Sequence, residues 1–181
     1  MCPPHFHLFR VVIIELNLLP IINADGEKLD IDEELDFSDR KEDGVIFLSP
    51  VEVCGRVVNI GGTLELTAEV SARLGFKCDR CCEDFTYDMS FEMSELLKKE
   101  AVGESAENEN PDIIFFTGNG IELDGVVENN IFMNLPAKRL CKTDCKGLCP
   151  KCGKNLNFGE CGCDTRTADP RFDILDSFFN D

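Results

Sequence analysis

Residues 141–163 read CKTDCKGLCPKCGKNLNFGECGC and hold six of the chain's 11 cysteines. Within this segment, residues 149–153 (CPKCG) have the CPxCG form of a zinc knuckle. The proline and the glycine of such a knuckle let backbone amides turn toward the sulfurs and stabilise their negative charge. A second CxxC pair, Cys78 and Cys81, lies between two predicted strands. Thiols at these spacings predict bound metal, and the CPxCG knuckle is the most specific signal in the chain.

Eight of the cysteines suffice for two tetrahedral four-thiolate zinc sites. Proximity along the chain favours a compact ribbon site formed by Cys149, Cys152, Cys161 and Cys163. The remaining ligands, which clip the sheet to the segment after a predicted helix, are Cys78, Cys81, Cys141 and Cys145. The spacing leaves open a single site, another pairing of these eight, and Cys82 in place of Cys81.

No metal-ligand role is expected for Cys54 or Cys2. Cys54 alternates with apolar neighbours and is expected to be a core thiol. Cys2, His5 and His7 are expected to be strand and terminal residues without a ligand role. The odd number of cysteines also disfavours a closed set of disulfides.

The expected location is the cytoplasm, where thiols stay reduced and clustered cysteines usually bind zinc. The opening of the chain lacks the basic and then uninterrupted apolar pattern of a signal peptide. A run of about 18 apolar residues, as a membrane span requires, is also missing from the sequence.

The charge is strongly acidic and unevenly distributed. Eighteen Lys and Arg against 35 Asp and Glu give −17, which excludes a generally basic nucleic-acid coat. Residues 136–157 carry six bases and one acid, a local charge of +5 that leaves −22 elsewhere. An anionic partner must therefore meet this stretch. Its candidate nucleic-acid-binding residues are Lys138, Arg139, Lys142, Lys146, Lys151 and Lys154.

Strands are predicted by alternating polarity. Residues 51–59 and 63–74 alternate, and Gly61-Gly62 between them predicts a hairpin turn. The alternation returns at residues 85–93, so an antiparallel meander with one wet face is expected. Further strands are predicted at residues 5–19, buried on both faces, and at residues 113–116.

The remaining segments read as helices and loops. A helix is predicted over residues 121–135 with Asp124 as its N-cap, and a last helix is predicted to begin at Asp169. Residues 25–43 are expected to form an acidic loop, and residues 95–112 a short helical end that runs into an exposed loop.

These elements predict an α+β fold, with an antiparallel β-sheet or partly open barrel, a few helices and a C-terminal cysteine-rich zinc ribbon. Residues 1–135 are expected to form the sheet core with its acidic loops and one helix. Residues 136–181 are expected to form the ribbon and the C-terminal helix.

No catalytic residues are expected. The chain has only two histidines, which gives a nucleophile few possible bases. A zinc ion saturated by four thiolates has no open position for water. The sequence therefore predicts a protein that is not an enzyme.

The cysteine-rich region, taken with its surroundings, resembles the YceD family of large ribosomal RNA subunit accumulation proteins of bacteria and plastids. The strings that carry the resemblance are CDRC at 78–81, NLP at 134–136, CKTDCKGLCPKCGKNLN at 141–157, CGC at 161–163 and DPR at 169–171. Residues 25–45 and 100–111 match only by position. Cys82 stands where the family commonly has leucine, so which of the adjacent thiols binds metal stays open.

The resemblance implies a non-enzymatic factor required for 23S rRNA accumulation and large ribosomal subunit assembly. The implied partners are a large-subunit precursor, 23S rRNA or a ribosomal protein; no membrane and no small-molecule substrate are expected. Our hypothesis is that zinc fixes the basic ribbon as a surface for RNA phosphate. Phe158 would either stack on a base or pack against the C-terminal helix.

Two alternative functions remain. The acidic remainder of the chain suits a chaperone for a basic ribosomal protein. Cys78 and Cys81 could instead form the redox pair of a thiol-disulfide oxidoreductase, which requires a reactive thiolate of low pKa.

Overall fold

The computed structural model describes residues 14–40, 44–100, 110 and 112–164. They form two compact units. The sheet unit contains the described residues up to Phe76 and Thr86–Ala137. The cysteine unit contains Lys77–Phe85 and the described residues from Lys138 onward. The predicted helix at Asp169 lies outside the described residues.

The described residues are mostly β, with one α-helix. In chain order the strands are β1 (Glu15–Asn17), β2 (Lys28–Leu35), β3 (Ile46–Phe47), β4 (Val51–Ile60), β5 (Thr63–Lys77), β6 (Asp84–Lys99), β7 (Ile113–Phe116) and β8 (Gly120–Glu122). Helix α1 spans Leu123–Met133, and a short 3-10 helix spans Leu156–Phe158. Within the described part of the chain, no helix has both the length and the apolar character needed to cross a membrane.

The main sheet has six strands and is mixed rather than antiparallel. Its order is β2-β4-β5-β6-β7, with β3 beside β5, while β1 and β8 form a separate antiparallel pair. Strand β7 runs parallel to β6, with Leu96 opposite Ile113. The chain between these two strands is long enough for the crossover that a parallel pair needs. The antiparallel expectation is therefore wrong at this edge.

The hairpin between β4 and β5 is confirmed. Ile60 pairs with Thr63, and Gly61 and Gly62 between them have φ values of 60° and 90°. Positive φ at both central residues is typical of the type I′ turn, which suits the twist of the flanking strands. Strand β4 also places Gly55 against the backbone of Thr67 in β5, where a Cβ atom would have no room.

The acidic loop predicted for residues 25–43 is wrong at its centre, because Lys28–Leu35 forms strand β2 and pairs with β4. Ile31 and Leu35 face the core, at 4% and 1% exposure, with the half-buried Glu33 between them on the same face, while Asp32 and Glu34 face outward. Asp and Glu have low β-propensity, but burial of the alternate residues against a neighbouring strand overrides it.

Two other boundaries differ from expectation. Residues 95–99 continue β6 as strand instead of beginning a helix. In the part of residues 5–19 that the structure describes, only Glu15–Asn17 is strand, and only its central Leu16 is buried. The strand is therefore not buried on both faces.

Helix α1 is confirmed, but its N-cap is Glu122 rather than Asp124. Asp124 lies in the first turn at 4% exposure. Its carboxylate accepts a hydrogen bond of 3.1 Å from the Ile14 N–H and lies 3.5 Å from the Arg40 guanidinium. The aspartate therefore binds the Ile14 backbone and Arg40 rather than capping the helix.

The core of the sheet unit is aliphatic and aromatic. Its largest fully buried side chains are Leu18, Ile21, Leu35, Phe37, Val45, Leu64, Leu66, Leu74, Met93, Leu97, Leu123 and Ile131. Burial of each such side chain contributes about 1.5–3 kcal/mol. Apolar packing thus accounts for the stability of the sheet unit.

Candidate metal centres

The turn between β5 and β6 carries the first pair of thiols. The Cys82 N–H donates to the Cys78 carbonyl and the Cys78 N–H to the Glu83 carbonyl, each at 2.9 Å, which closes the turn. Cys78 and Cys81 are thereby buried, at 1% and 3% exposure. Cys82 adopts a φ of 61° and is exposed. The backbone therefore selects Cys81, rather than Cys82, as the partner of Cys78.

The first cluster consists of Cys78, Cys81, Cys141 and Cys145, whose sulfurs all lie within 4.8 Å of one another. The Sγ atoms of Cys78 and Cys145 are 3.7 Å apart, and those of Cys81 and Cys141 are 3.6 Å apart. Four sulfurs at about 2.3 Å from one tetrahedral ion would be separated by about 3.8 Å. The cluster therefore has the dimensions of a site for a single ion.

The second cluster consists of Cys149, Cys152, Cys161 and Cys163, again within 4.8 Å of one another. The Cys149 N–H donates to the Lys154 carbonyl and the Gly153 N–H to the Cys149 carbonyl, each at 2.9 Å. Gly153 has a φ of 72°, which tightens this knuckle. Cys149 is buried and Cys152 is exposed, so the second cluster is the more open of the two.

Backbone amides stabilise one thiolate in each cluster. Burial raises the pKa of Cys78, but N–H donors from Cys141, Arg80 and Cys81 outweigh it and lower that pKa to about 6. In the second cluster, the N–H groups of Cys152 and Lys151 lower the pKa of Cys149 to about 6. Each cluster therefore holds a thiolate near neutral pH.

Other thiols of the clusters hold their protons more tightly. Burial and the neighbouring sulfurs raise the pKa of Cys141 to about 12. Hydrogen bonds with Cys152 and Cys161 raise the pKa of Cys163 to about 12. Four thiols this close cannot all ionise unless a cation balances their charge, so both clusters could hold a metal ion.

Two sequence-based expectations concern single cysteines. The alternative of Cys82 in place of Cys81 is not supported, because Cys82 lies outside both clusters. The prediction that Cys54 is a core thiol is wrong, because β4 directs Val51 and Val53 inward and Cys54 outward. Its Sγ lies 3.3 Å from a carboxylate oxygen of Asp32, which raises the pKa of the thiol. The residues Cys2, His5 and His7 lie outside the described residues.

The six predicted basic residues all belong to the cysteine unit. Arg139 is half-buried and the five lysines Lys138, Lys142, Lys146, Lys151 and Lys154 are exposed. The Lys154 ammonium donates to the Glu160 carbonyl at 2.9 Å, so it also braces the loop of the second cluster. Phe158 is 78% exposed in the same loop.

Two polar side chains beside the thiols, those of Arg80 and Asn157, were given no role from the sequence. Arg80 donates to the Cys145 carbonyl at 2.9 Å. The Asn157 amide donates to the Cys145 sulfur at 3.3 Å and is the largest cause of that thiol's lowered pKa. The available signal was the string NLN at 155–157, which belongs to the family resemblance and had no assigned function.

The model of the family described as large ribosomal RNA subunit accumulation protein YceD matches residues 66–179. The chain belongs to the YceD family. The match covers most of β5, all of β6 and all eight clustered cysteines.

Relatives of this YceD-family chain are distant. A large ribosomal RNA subunit accumulation protein YCED homolog 1, chloroplastic, from Arabidopsis thaliana is 25% identical over 70% of the chain and 48% of its own length. Uncharacterized proteins from Mycobacterium bovis and Mycobacterium tuberculosis are 26% identical over 65% of the chain and 56% of their length. The chain thus spans about half the length of these curated relatives. No solved structure gives a significant match.

Proposed function

We propose that this YceD-family protein is a non-enzymatic, zinc-binding factor for accumulation of the large-subunit ribosomal RNA. The observation that carries the proposal is the pair of four-thiolate clusters within the part of the chain that the family model matches. Family membership supports the connection with large-subunit RNA. The clusters support a rigid, metal-stabilised surface as the working part.

Zinc is the proposed metal at both centres. A tetrahedral set of four thiolates suits zinc or iron-sulfur chemistry. In the first cluster, the separations of 3.6 and 3.7 Å between sulfurs fit one ion better than a larger cluster, and the sulfurs of the second cluster also all lie within 4.8 Å of one another. Zinc bound there would join two segments of the chain at each centre and offset part of the negative charge of the thiolates.

The absence of an enzymatic role is likewise a proposal. Four thiolates would leave a zinc ion no position for water or substrate. The lowered pKa of Cys78, about 6, would also suit a redox thiol. Its 1% exposure, with 3% for Cys81, disfavours attack on a substrate disulfide. We therefore rank the oxidoreductase alternative last.

The proposed RNA contact lies on the basic residues of the cysteine unit, chiefly the exposed Lys142, Lys146 and Lys151. Lysines that neutralise phosphate release counterions and give a salt-dependent affinity. A zinc ion with four thiolates carries a net charge of about −2. Part of the lysine charge therefore balances the centres, and a test must separate RNA binding from metal retention.

The test compares two triple charge reversals in the full chain. Lys142, Lys146 and Lys151 are changed to Glu, and the matched control changes Lys28, Lys98 and Lys99, exposed residues of the sheet unit, to Glu. Binding to transcribed large-subunit rRNA is measured across a salt series, with the zinc content of each variant.

We expect the first variant to lose most RNA binding and to flatten the slope of log K against log salt by about 2 to 3. The control should bind almost as the wild type does. Equal loss in both variants, or no loss with zinc retained, would contradict an RNA contact on the cysteine unit.

A second candidate function rests on the outer face of the sheet. Glu34 lies directly opposite Glu52, and Asp32 and Glu69 flank Cys54 in register. Like charges opposite one another destabilise a sheet, and a basic partner would relieve them. This observation favours a chaperone for a basic ribosomal protein.

The two candidates respond differently to a reversal of Asp32, Glu34 and Glu52 to Lys. That change should abolish capture of a basic ribosomal protein under the chaperone function. Under the RNA-binding function it should leave RNA affinity unchanged or raise it. The cytoplasm remains the proposed location, with fractionation of the native protein as its test.

A further inference from the structure

Asn157 belongs to the loop of the second cluster but contacts a ligand of the first. It follows Cys152 and precedes Cys161, two members of the second cluster. Its side-chain Nδ2 nevertheless donates to Sγ of Cys145, in the first cluster, at 3.3 Å. The side chain therefore links the loop of the second cluster to a ligand of the first.

The orientation of this amide is fixed by its other hydrogen bonds. Oδ1 of Asn157 accepts from the Lys146 N–H at 2.9 Å, so the NH₂ group faces the sulfur and not the reverse. Nδ2 also donates to Oδ1 of Asn155 at 2.9 Å, and the same oxygen accepts from the Asn157 N–H at 3.0 Å. Both amide protons and the amide oxygen are thus used, and Asn157 has one stable position.

The loop that carries Asn157 is held by the second cluster and by the segment between the clusters. The Leu156 N–H donates to the Gly147 carbonyl at 2.9 Å, and Leu148 pairs with Asn155 in a short bridge. The segment from Cys145 to Cys149 contributes one ligand to each cluster. An ion in the second cluster would fix both ends of the Asn157 loop.

We propose that Asn157 is a positioning residue that couples the two metal centres, so that an ion in the second cluster raises the metal affinity of the first. The inference rests on the proposed metal sites and goes beyond them. The amide donates to a thiolate ligand, and such a bond stabilises the ligand's negative charge and orients it. Loss of a group of this kind typically lowers metal affinity about 10- to 100-fold.

The coupling is reciprocal by linkage: an ion in the first cluster raises the affinity of the second by the same factor. A rival connection runs through Arg80, whose side chain donates to the Cys145 carbonyl and whose own carbonyl accepts from Leu148. A double-mutant cycle separates the share of Asn157 from this second connection.

The experiment uses the full chain loaded with Cd²⁺, whose nuclear magnetic resonance signal reports each centre separately. A competing chelator titrates the metal from each signal. The cycle combines Asn157→Ala with removal of the second centre by Cys161→Ser and Cys163→Ser. Asn157→Asp is a second variant that keeps an oxygen to accept from the Lys146 N–H but loses the donor. Asn134→Asp is the matched control, on an exposed asparagine of the sheet unit.

We expect Asn157→Ala and Asn157→Asp each to lower the affinity of the first centre by about 10- to 100-fold, while Asn134→Asp changes it less than about twofold. Removal of the second centre should cause a similar loss when Asn157 is present and little further loss when it is absent.

Two results would overturn the coupling while leaving the metal centres intact. One is an unchanged affinity of the first centre in both Asn157 variants. The other is an equal effect of removing the second centre with and without Asn157. Failure of the wild-type chain to bind metal at either cluster would instead overturn the proposed metal sites, and the coupling with them.

Discussion

The two units of this YceD-family protein are stabilised by different side chains. In the sheet unit the buried residues are mainly Leu, Ile, Val and Phe. In the described part of the cysteine unit, the only buried residues besides Gly147 are Cys78, Cys81, Cys145 and Cys149. Phe85 and Leu140 pack against the first cluster but are only partly buried. The sheet unit is therefore packed by apolar side chains, whereas the described residues of the cysteine unit form no comparable apolar core, and we expect that unit to depend on a metal bound by its thiols.

Metal removal should separate the two units most clearly. Structural zinc contributes about 10–16 kcal/mol in small metal-dependent domains, far more than the few packed side chains of the cysteine unit supply. Chelation should therefore unfold the cysteine unit and leave the sheet unit folded. Hydrogen exchange followed by mass spectrometry should show complete exchange at residues 138–164 and unchanged protection across β4 and β5. Equal protection of both units after chelation would contradict the account.

Loss of one buried ligand should have the next largest effect. Cys149→Ser removes a thiolate from the second cluster and should leave about one tightly bound zinc per chain, because three thiolates hold the ion far more weakly. Cys82→Ser, an exposed cysteine beside the first cluster, is the control and should keep both ions. A loss of zinc in Cys82→Ser would show that Cys82 is a ligand of the first centre, which would contradict the assignment of Cys81.

A cavity in the sheet core should destabilise the first unit without touching the metal. Leu66 is fully buried opposite Val57, so Leu66→Ala should lower the free energy of unfolding by about 2–5 kcal/mol. Ile60→Ala, at a residue with 58% exposure, should change it by less than about 0.5 kcal/mol. Urea denaturation gives both values, and the zinc content should stay constant. Zinc loss in Leu66→Ala would show that the units are not independent.

The lowered pKa values of Cys78 and Cys149 predict smaller effects, on the pH dependence of stability and on the number of protons released when zinc binds. Both folded-state values are about 6 against an ordinary 9.0, so the stability these thiolates contribute is complete above about pH 9. It is lost as the pH falls toward and through 6. Near neutral pH each ion should displace fewer than four protons, since one thiol per cluster is already ionised.

Calorimetric zinc titrations in buffers of different ionisation enthalpy count these protons. Four protons per ion at about pH 7.5 would mean that the backbone amides do not stabilise these two thiolates.

The sequence predicted the features that depend on local pattern. The Gly61-Gly62 hairpin and helix α1 follow from turn chemistry and periodicity. The structure also groups the eight cysteines into the same two sets of four that their spacing favoured. Local spacing suffices for Cys149 and Cys152, because the knuckle's own backbone directs their sulfurs.

Other features depend on contacts that a sequence pattern does not contain. Strand β2 exists because β4 offers it a partner, although its acidic residues favour a loop. Cys54 faces solvent because strand register sends alternate residues to opposite faces, and Val53 takes the buried position. Asn157 and Cys145 are 12 residues apart in the sequence, and only the folded structure brings their side chains together.

The most direct test of the central claim is the metal content of the full chain purified without added zinc. Elemental analysis is combined with titration of thiols before and after denaturation in chelator. We predict about two zinc ions per chain and eight thiols that become reactive only when the metal is removed. Disulfides in place of metal, or no metal with all thiols reactive in the folded protein, would contradict the claim that bound zinc holds the cysteine unit together.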